Sequence, residues 1–367
     1  MRTPSIVSLA ASTRSSLTVA VVFAAAGGCV DGEPPTDPPL PTPSALARCA
    51  DPAVALEERW LVDNLHDPIT AIARTGRTVV VASADGALKV WQTSAAGAAE
   101  TRPTYGTPIV DEGTALGAIA AGPDGAIAGV DVDGQARLWR VDGSELAPAR
   151  AMLPAAGSLV AIDYQRRWMV AGTRDFAGEL TIADLDAGTR VGPVQTILWG
   201  VTATHLGGDD RWVSAGHWYG CPALELRDPR APEAALASWD ACRDAVGAQH
   251  TGWFRALAVD DTATEALVVG DNLLATFTLA SLDDGPTALA TTDVRLDRVV
   301  RLDGDRLAIT LAARGDASEL TWWSLDDLTA RRTVTIPAAV DLVVDAEAGL
   351  LVAASADGLL RGYACGE

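Results

Sequence analysis

The sequence predicts an all-β fold made of repeated four-stranded units, and three observations lead to this prediction. From residue 57 onward, short apolar runs alternate with Asp-Gly, Gly-Asp and proline-containing turns, without a long amphipathic helical pattern. The runs recur in sets of four, and the ends of the third runs are spaced by about 45 residues. Four strands in roughly 40–45 residues are typical of a β-propeller blade. The chain is therefore predicted to be a seven-bladed β-propeller with four-stranded blades.

Three units share one turn and show the repeat most clearly. They are Ser83-Ala-Asp85-Gly86 before Trp91, Asp131-Val-Asp133-Gly134 before Trp139, and Ser355-Ala-Asp357-Gly358 before Tyr363. Each unit is predicted to form a strand, a tight Asp-Gly turn and a second strand that ends at the aromatic residue. The other four units cover residues 158–191, 201–230, 253–284 and 297–327.

The two ends of the chain are predicted to close the ring together. Residues 56–62, LEERWLV, form a strand that belongs to no complete unit, and the last unit lacks a fourth strand. In a closed propeller the N-terminal strand supplies this missing strand and removes an exposed sheet edge. We therefore expect residues 56–62 to complete blade 7.

The N-terminus has the pattern of an export signal. Two arginines precede an apolar run at 15–28, SSLTVAVVFAAAGG, which is too short for a membrane-spanning helix. Residues 26–29, Ala-Gly-Gly-Cys, resemble a bacterial lipobox with Ala where Leu is usual; an ordinary signal peptidase site at 24–26 is the alternative. The lipobox interpretation makes 1–28 a lipoprotein signal peptide and Cys29 the lipidated residue. The residue after the cysteine is Val30 rather than Asp. This resembles the pattern that routes lipoproteins to the outer membrane in bacteria with two membranes.

Residues 29–48 are predicted to be a proline-rich acidic tether, followed by a propeller domain at 49–367. Residues 31–43, DGEPPTDPPLPTP, contain six prolines and three acidic residues. Proline disfavours helix and strand, and such a segment extends by about 3.1 Å per residue. The protein is therefore expected to be exported and lipid-anchored in the outer membrane, facing the periplasm or the surface, with the propeller held away from the bilayer.

The five cysteines predict two disulfides beside the lipid anchor. An exported chain with an odd number leaves one thiol unpaired, and lipidation of Cys29 leaves four cysteines to pair. Cys49 precedes the closing strand and Cys365 ends the strand that it pairs with, so these two are expected to be bonded. Cys221 and Cys242 flank the hairpin of blade 4 almost symmetrically and are expected to form the second bond.

Charge and motifs exclude several kinds of chemistry. The 48 acidic residues against 28 basic ones give a net charge of −20, which opposes nucleic-acid binding. No CxxC occurs and the four histidines lack ligand spacing, so neither a metal nor a cofactor is expected. The 131–134 segment has no acid placed to complete an EF-hand and matches the turn of the first unit. The chain also lacks the Gly-x-Ser-x-Gly motif of serine hydrolases.

The Ser-x-Asp-Gly…Trp units, with the segment that begins His250-Thr-Gly-Trp, resemble WD40 repeats over residues 57–365, although no unit has intact Gly-His and Trp-Asp pairs. The resemblance implies that a structural hydrogen-bond tetrad is formed by His66, Ser83, Asp85 and Trp91. In that family the Asp orients the His, which holds the Ser and the Trp. A buried network of this kind rigidifies a blade, so these residues are predicted to be structural rather than a catalytic triad.

Aromatic residues outside the strand anchors give the candidate partner-binding site: Trp199, His217, Trp218, Tyr219, Trp253 and Phe254. In a propeller, the loops that enter first strands and the loops between second and third strands emerge on one face. All six residues are therefore expected over blades 4 and 5, where a rigid rim suits a contact surface. The alternative is that they cap the cores of the blades.

These features predict a non-enzymatic scaffold that binds an unidentified protein or other partner in the cell envelope through one rim. Two alternatives remain open. One is a hydrolase or lyase with acidic residues at the mouth of the central channel. The other is an assembly-factor lipoprotein, because Asp184-x-Asp186-Ala-Gly188-Thr189 is similar to the repeats of quinoprotein-type propellers, although it occurs once and lacks their Trp.

Overall fold

The computed structural model describes most of the chain after residue 43. The described ranges are 44–63, 67–93, 104–105, 109–110, 115–122, 125–131, 135–142, 145–154, 159–165, 167–173, 178–184, 186–207, 211–243, 252–260, 262–345 and 348–366.

The described residues form seven antiparallel sheets, which confirms the predicted seven-bladed β-propeller. Blade 1 contains β2 (Ile69–Thr75), β3 (Thr78–Ser83), β4 (Ala87–Gln92), β5 (Thr104–Tyr105) and β6 (Ile109–Val110). Blade 2 contains β7 (Leu116–Ala121), β8 (Ala126–Asp131), β9 (Gln135–Asp142) and β10 (Glu145–Pro154). Blade 3 contains β11 (Leu159–Gln165), β12 (Trp168–Thr173), β13 (Glu179–Asp184) and β14 (Thr189–Gln195).

The remaining four blades follow the same order along the chain. Blade 4 contains β15 (Gly200–Leu206), β16 (Trp212–Trp218), β17 (Cys221–Arg227) and β18 (Ala235–Asp240). Blade 5 contains β19 (Phe254–Val259), β20 (Glu265–Gly270), β21 (Leu273–Thr278) and β22 (Ala288–Thr291). Blade 6 contains β23 (Arg298–Leu302), β24 (Leu307–Arg314), β25 (Ala317–Ser324) and β26 (Ala330–Pro337). Blade 7 contains β27 (Asp341–Asp345), β28 (Leu350–Ala354), β29 (Leu359–Cys365) and β1 (Leu56–Asp63).

Short 3₁₀ helices supplement the strands. They cover Ala47–Ala50, Leu279–Asp284 and Asp303–Asp305. None of the helices in the described part of the chain is long and apolar enough to span a membrane.

The N-terminal strand closes the ring as predicted. β1 pairs antiparallel with β29 from Leu56 opposite Cys365 to Asp63 opposite Leu359. The predicted Cys49–Cys365 disulfide lies at the end of this pair, with the two Cα atoms 5.3 Å apart. The first and last strands of the domain are therefore joined by a hydrogen-bonded ladder and by a covalent bond.

Two details differ from the prediction. Residues 44–48, assigned to the tether, belong to the propeller, because Leu46 is fully buried in a cluster with Trp322 and the Ser44 N–H donates to Asp305 Oδ1 at 2.9 Å. Burial of the apolar Leu46 side chain in this cluster stabilises the attachment of residues 44–48 to the propeller. The fourth strand of blade 1 is divided, since β5 and β6 each pair with a different part of β4.

The core lies between neighbouring blades. All six residues of β3 are buried, and its side chains alternate between two interfaces. Val79 and Val81 pack with blade 7, whereas Val80 and Ala82 pack with blade 2. A continuous apolar run therefore suits the second strand of each blade, because both of its faces are covered.

The two faces of the ring are defined by their connections. We call the face formed by the loops entering first strands and the turns between second and third strands the upper face. The opposite face, with the turns between first and second strands, is the lower face. Cys49, Cys365 and residues 44–48 lie at the lower face, because Asp305 lies in the β23–β24 turn and Cys365 ends a third strand.

Candidate functional site

The structure brings the predicted aromatic residues together on the upper face. Trp199 lies in the loop between β14 and β15, and Trp218 ends β16. Tyr219 lies in the turn to β17, and Trp253 immediately precedes β19. The Trp199 N–H donates to the His217 carbonyl at 2.8 Å, which ties the loop entering blade 4 to the end of its second strand.

Three of these side chains form a continuous surface that we call the aromatic cluster: Trp199, Trp218 and Tyr219. Trp199 lies with its ring centroid 3.6 Å from that of Tyr219 and 5.6 Å from that of Trp218. Trp218 and Tyr219 meet edge to face at 4.5 Å. The two tryptophans are half-buried, and Tyr219 is 61% exposed, the largest value for a large hydrophobic side chain in the described part of the chain.

Tyr219 occupies an unusual position in its turn. Trp218 pairs with Cys221, so Tyr219 and Gly220 form a two-residue hairpin loop. Both have positive φ, 48° at Tyr219 and 83° at Gly220, which is the type I′ conformation that favours Asn-Gly or Gly-Gly. A tyrosine in the left-handed region costs backbone energy, and an outlier of this kind supports a hypothesis of function.

The turn is braced from its other side. The Cys221–Cys242 disulfide, predicted from the sequence, joins the start of β17 to the residues after β18, with Cα atoms 5.7 Å apart. The Gly252 N–H donates to the Gly220 carbonyl at 2.8 Å, which links the turn to the loop entering blade 5. The aromatic cluster therefore sits on a fixed backbone.

A buried ion pair supports the loop that carries Trp199. Glu225 is fully buried, and Arg227 Nε donates to its Oε1 at 2.7 Å. Arg227 Nη2 donates to the Gln195 carbonyl at 2.9 Å, and the Ile197 N–H donates to Glu225 Oε2 at 3.3 Å. Burial raises the pKa of Glu225, while Arg227 acts in the opposite direction. The pair fixes residues 195–197 and thereby positions Trp199.

His217 belongs to the core rather than to the exposed surface. It is 3% exposed and stacks on Trp253 with centroids 4.1 Å apart and planes within 4°. Burial lowers its pKa, and the charge of Arg255 lowers it further. Its Nδ1 has no hydrogen-bond partner among the described residues. Trp253 itself is half-buried and carries Arg255 over its ring at 5.1 Å.

Phe254, predicted as a partner-binding residue, lies in the core rather than on the exposed surface. Phe254 is 0% exposed and packs between blades 4 and 5, with centroids 6.3 Å from Trp239 and 6.4 Å from Phe277. Its position at the start of a first strand directs the side chain into the interface between blades, where transfer from water stabilises the fold. For this residue the capping interpretation holds.

The WD40-like tetrad falls partly outside the described residues, because His66 is not among them. Ser83 is fully buried, and Trp91 is 6% exposed near the end of β4. Asp85 Oδ1 accepts the Ala87 N–H at 2.9 Å, and the Gly86 N–H donates to the Ser83 carbonyl at 3.1 Å. Asp85 therefore holds the predicted Asp-Gly turn.

Blade 7 repeats this turn, and Asp184 fills a similar role in blade 3. The Ser355 hydroxyl donates to Asp357 Oδ1, and the Gly358 N–H donates to the Ser355 carbonyl at 3.1 Å. Asp184 Oδ1 accepts the Asp186 and Ala187 N–H groups at 3.2 and 3.1 Å. These aspartates stabilise turns.

Two acidic side chains of the upper face, Asp341 and Asp271, are engaged in contacts between structural elements. Asp341 accepts Arg298 Nε at 2.9 Å and the Ile72 N–H at 3.0 Å, which joins blades 6, 7 and 1. Asp271 accepts Arg255 Nε at 2.8 Å and the Trp253 N–H at 3.0 Å. Within the described ranges, no three His, Cys, Asp or Glu residues are grouped to hold a metal ion.

The proposed signal peptide 1–28, the lipidation site Cys29 and tether residues 29–43 lie outside the described residues, as does His250. No protein-family model matches the chain, and no curated protein matches it at a significant level. The fold and the site therefore define the class of the protein, a seven-bladed β-propeller with an exposed aromatic cluster on its upper face.

Proposed function

We propose that the protein is a non-enzymatic binding scaffold whose aromatic cluster contacts a protein partner in the cell envelope. The observation that carries this proposal is Tyr219, a 61% exposed aromatic residue in a two-residue turn whose conformation favours Asn or Gly. Asparagine is favoured at the first position of this turn, so the backbone conformation of the turn does not account for the tyrosine. Tryptophan and tyrosine are enriched in the residues that dominate binding at protein interfaces.

The net charge of the chain limits the class of partner that the aromatic cluster can bind. The net charge of −20 disfavours nucleic acid and anionic lipid surfaces as occupants of the aromatic cluster. The cluster contains two Trp and one Tyr, without a charged member. A protein surface with an apolar patch is the complementary partner.

The proposed export of the chain also bears on the partner. We propose that the chain is exported and lipidated at Cys29, so the partner of the aromatic cluster is a protein of the same cell envelope.

Affinity capture tests the proposed surface. The full-length lipidated protein is purified from its host envelope with its bound proteins, which are identified by mass spectrometry. We expect the Trp199→Ala/Tyr219→Ala variant to lose the proteins captured by the wild type. Leu236→Ala is the matched control, because Leu236 is 54% exposed on the outer strand of the same blade.

The capture result is interpreted together with the folding and stability of each variant. The wild type, the double variant and the control are compared by far-ultraviolet circular dichroism and urea denaturation. Undiminished capture by a folded double variant contradicts the proposal. A loss of several kcal/mol, as expected for truncation of buried aromatic residues, assigns the cluster to packing instead.

The lipid anchor has its own test. Mass spectrometry of the mature N-terminus is expected to show a chain that begins at a lipid-modified Cys29. A mature chain that begins at Gly27, with Cys29 unmodified, contradicts the anchor.

A further inference from the structure

A groove of about 580 Å³ lies between blades 5 and 6, separate from the aromatic cluster. One wall consists of Thr291–Val294 and the other of side chains on β25 and β26. Strand β22 has four residues whereas β26 has eight, so the outer part of blade 6 extends beyond the strand of blade 5 that faces it. The volume is within the usual range of small-ligand sites.

The floor of the groove is apolar. Trp323 and Leu296 line it and are 9% and 1% exposed. The indole N–H of Trp323 donates to Thr310 Oγ1 at 2.9 Å in the core. The polar atom of this tryptophan is therefore engaged inside blade 6, and the small exposed part of its side chain contributes carbon to the groove.

The walls are rich in hydroxyl groups. Thr321 and Thr333, on neighbouring strands, have their Oγ1 atoms 3.0 Å apart, and Thr292 Oγ1 donates to the Val294 carbonyl at 2.7 Å. A hydroxyl that makes one hydrogen bond retains further acceptor capacity. These threonines are thus positioned by the protein and still able to accept hydrogen bonds from a ligand.

The charged and hydroxyl groups of the groove disfavour two classes of ligand, anionic and fully apolar. Arg314 Nε donates to Glu319 Oε2 at 2.9 Å, so the one cation among the lining residues is paired. Asp293 is exposed and adds a further negative charge. The acidic residues outnumber the arginine, which disfavours phosphates and carboxylates. The hydroxyl and charged groups disfavour a fully apolar ligand, which would leave them without water or partners.

We propose that this groove binds a neutral oligosaccharide. A pyranose ring has an apolar C–H face that packs on aromatic and aliphatic carbon, and a rim of hydroxyls that donate and accept hydrogen bonds. The small exposed part of Trp323 at the floor provides the apolar contact, and the hydroxyls of Thr292, Thr321 and Thr333 on the walls match the polar rim. This proposal is independent of the aromatic cluster and of the lipid anchor.

Saturation-transfer NMR and calorimetry of the full chain test the proposal with cellotetraose, maltotetraose and tetra-N-acetylchitotetraose. We expect at least one of the three to bind. Because Thr333 is exposed, Thr333→Val removes a hydroxyl without disturbing the core, and Thr321→Val/Thr333→Val removes the pair. The double variant is expected to bind about tenfold more weakly, with an unchanged melting temperature.

Blade 5 offers a matched control. Thr276 and Thr287 form a similar cross-strand pair, with Oγ1 atoms 3.0 Å apart, outside the residues that line the groove. Thr287→Val is expected to bind the sugar like the wild type. The proposal is overturned if none of the three oligosaccharides binds, or if Thr333→Val and the double variant bind as tightly as the control.

Discussion

Trp60 of the closing strand packs directly on Gly362 of the last third strand. The two residues are paired across β1 and β29, and a Cβ atom on Gly362 would overlap the indole ring of Trp60. Trp60 is 7% exposed and joins the cluster between blades 7 and 1. Closure of the ring therefore depends on glycine at position 362, because a side chain there would occupy the space of the Trp60 ring.

Gly362→Ala is expected to destabilise the protein by about 1–3 kcal/mol, since overpacking forces Trp60 or the strand to shift. Gly304→Ala is the control, because a Cβ atom there meets nothing within 4 Å. Urea denaturation measures the difference, and limited proteolysis is expected to cut residues 44–63 faster in the first variant. Equal stability of the two variants would show that the closing strand accommodates a methyl group.

The repeat and the ring closure were predictable because they leave local signals. Asp-Gly turns and apolar runs recur at a fixed period, and the predicted strand at 56–62 lies within β1, Leu56–Asp63. The split edge of blade 1 depends on pairing between separate segments, which periodicity does not show.

The sequence predicted which face of the propeller carries the candidate site. It did not predict which side chains on that face are exposed and which are buried. Loop position placed Trp199 and Tyr219 correctly on the upper face. Burial of His217 and Phe254 depends on the side chains of the neighbouring blade, whose proximity is set by the ring. The groove between blades 5 and 6 left no sequence signal, because it follows from the unequal lengths of two outer strands.

The two disulfides are expected to contribute unequally to stability. The Cys49–Cys365 bond joins residues 316 positions apart and the Cys221–Cys242 bond joins residues 21 apart. The chain-entropy model assigns about 6 kcal/mol to the first and about 3 kcal/mol to the second. Denaturant titration of Cys49→Ala/Cys365→Ala and Cys221→Ala/Cys242→Ala measures this order. A reversed order would show that strand pairing alone closes the ring.

Arg332 is expected to retain the N-terminal segment when the ring disulfide is absent. Its Nη1 donates to the Cys49 carbonyl at 2.9 Å and also to the Val54 carbonyl, and its guanidinium lies over Trp322 at 6.0 Å. Adding Arg332→Ala to the Cys49→Ala/Cys365→Ala variant is expected to release residues 44–55 to protease. The same proteolysis rate with and without Arg332 would contradict this role.

The pair of Arg167 and Asp184 gives a pH dependence of known sign. The hydrogen bond from Arg167 is the main reason that the pKa of Asp184 falls from 3.8 to about 2. A carboxyl group with a lowered pKa in the folded state stabilises the fold above its unfolded value, and this contribution disappears as the pH falls from about 4 to about 2. Asp184→Asn is expected to flatten the dependence of unfolding free energy on pH in that window. An identical slope in wild type and variant would exclude Asp184 as a source of acid sensitivity.

The buried pair of Glu225 and Arg227 is expected to show strong coupling. Arg227→Met leaves a buried carboxylate without its cation, so it is expected to cost about 3–5 kcal/mol, whereas Glu225→Gln/Arg227→Met is expected to restore much of that stability.

The cost of Arg227→Met is also expected to depend on pH. Burial already raises the pKa of Glu225, and loss of Arg227 raises it further. A raised folded-state pKa means that stability falls as the pH rises above the ordinary value of 4.5. The cost of Arg227→Met is therefore expected to be smaller near pH 4 than at pH 7. Urea denaturation of the wild type and both variants at the two pH values measures the coupling, and additive effects or a pH-independent cost would contradict it.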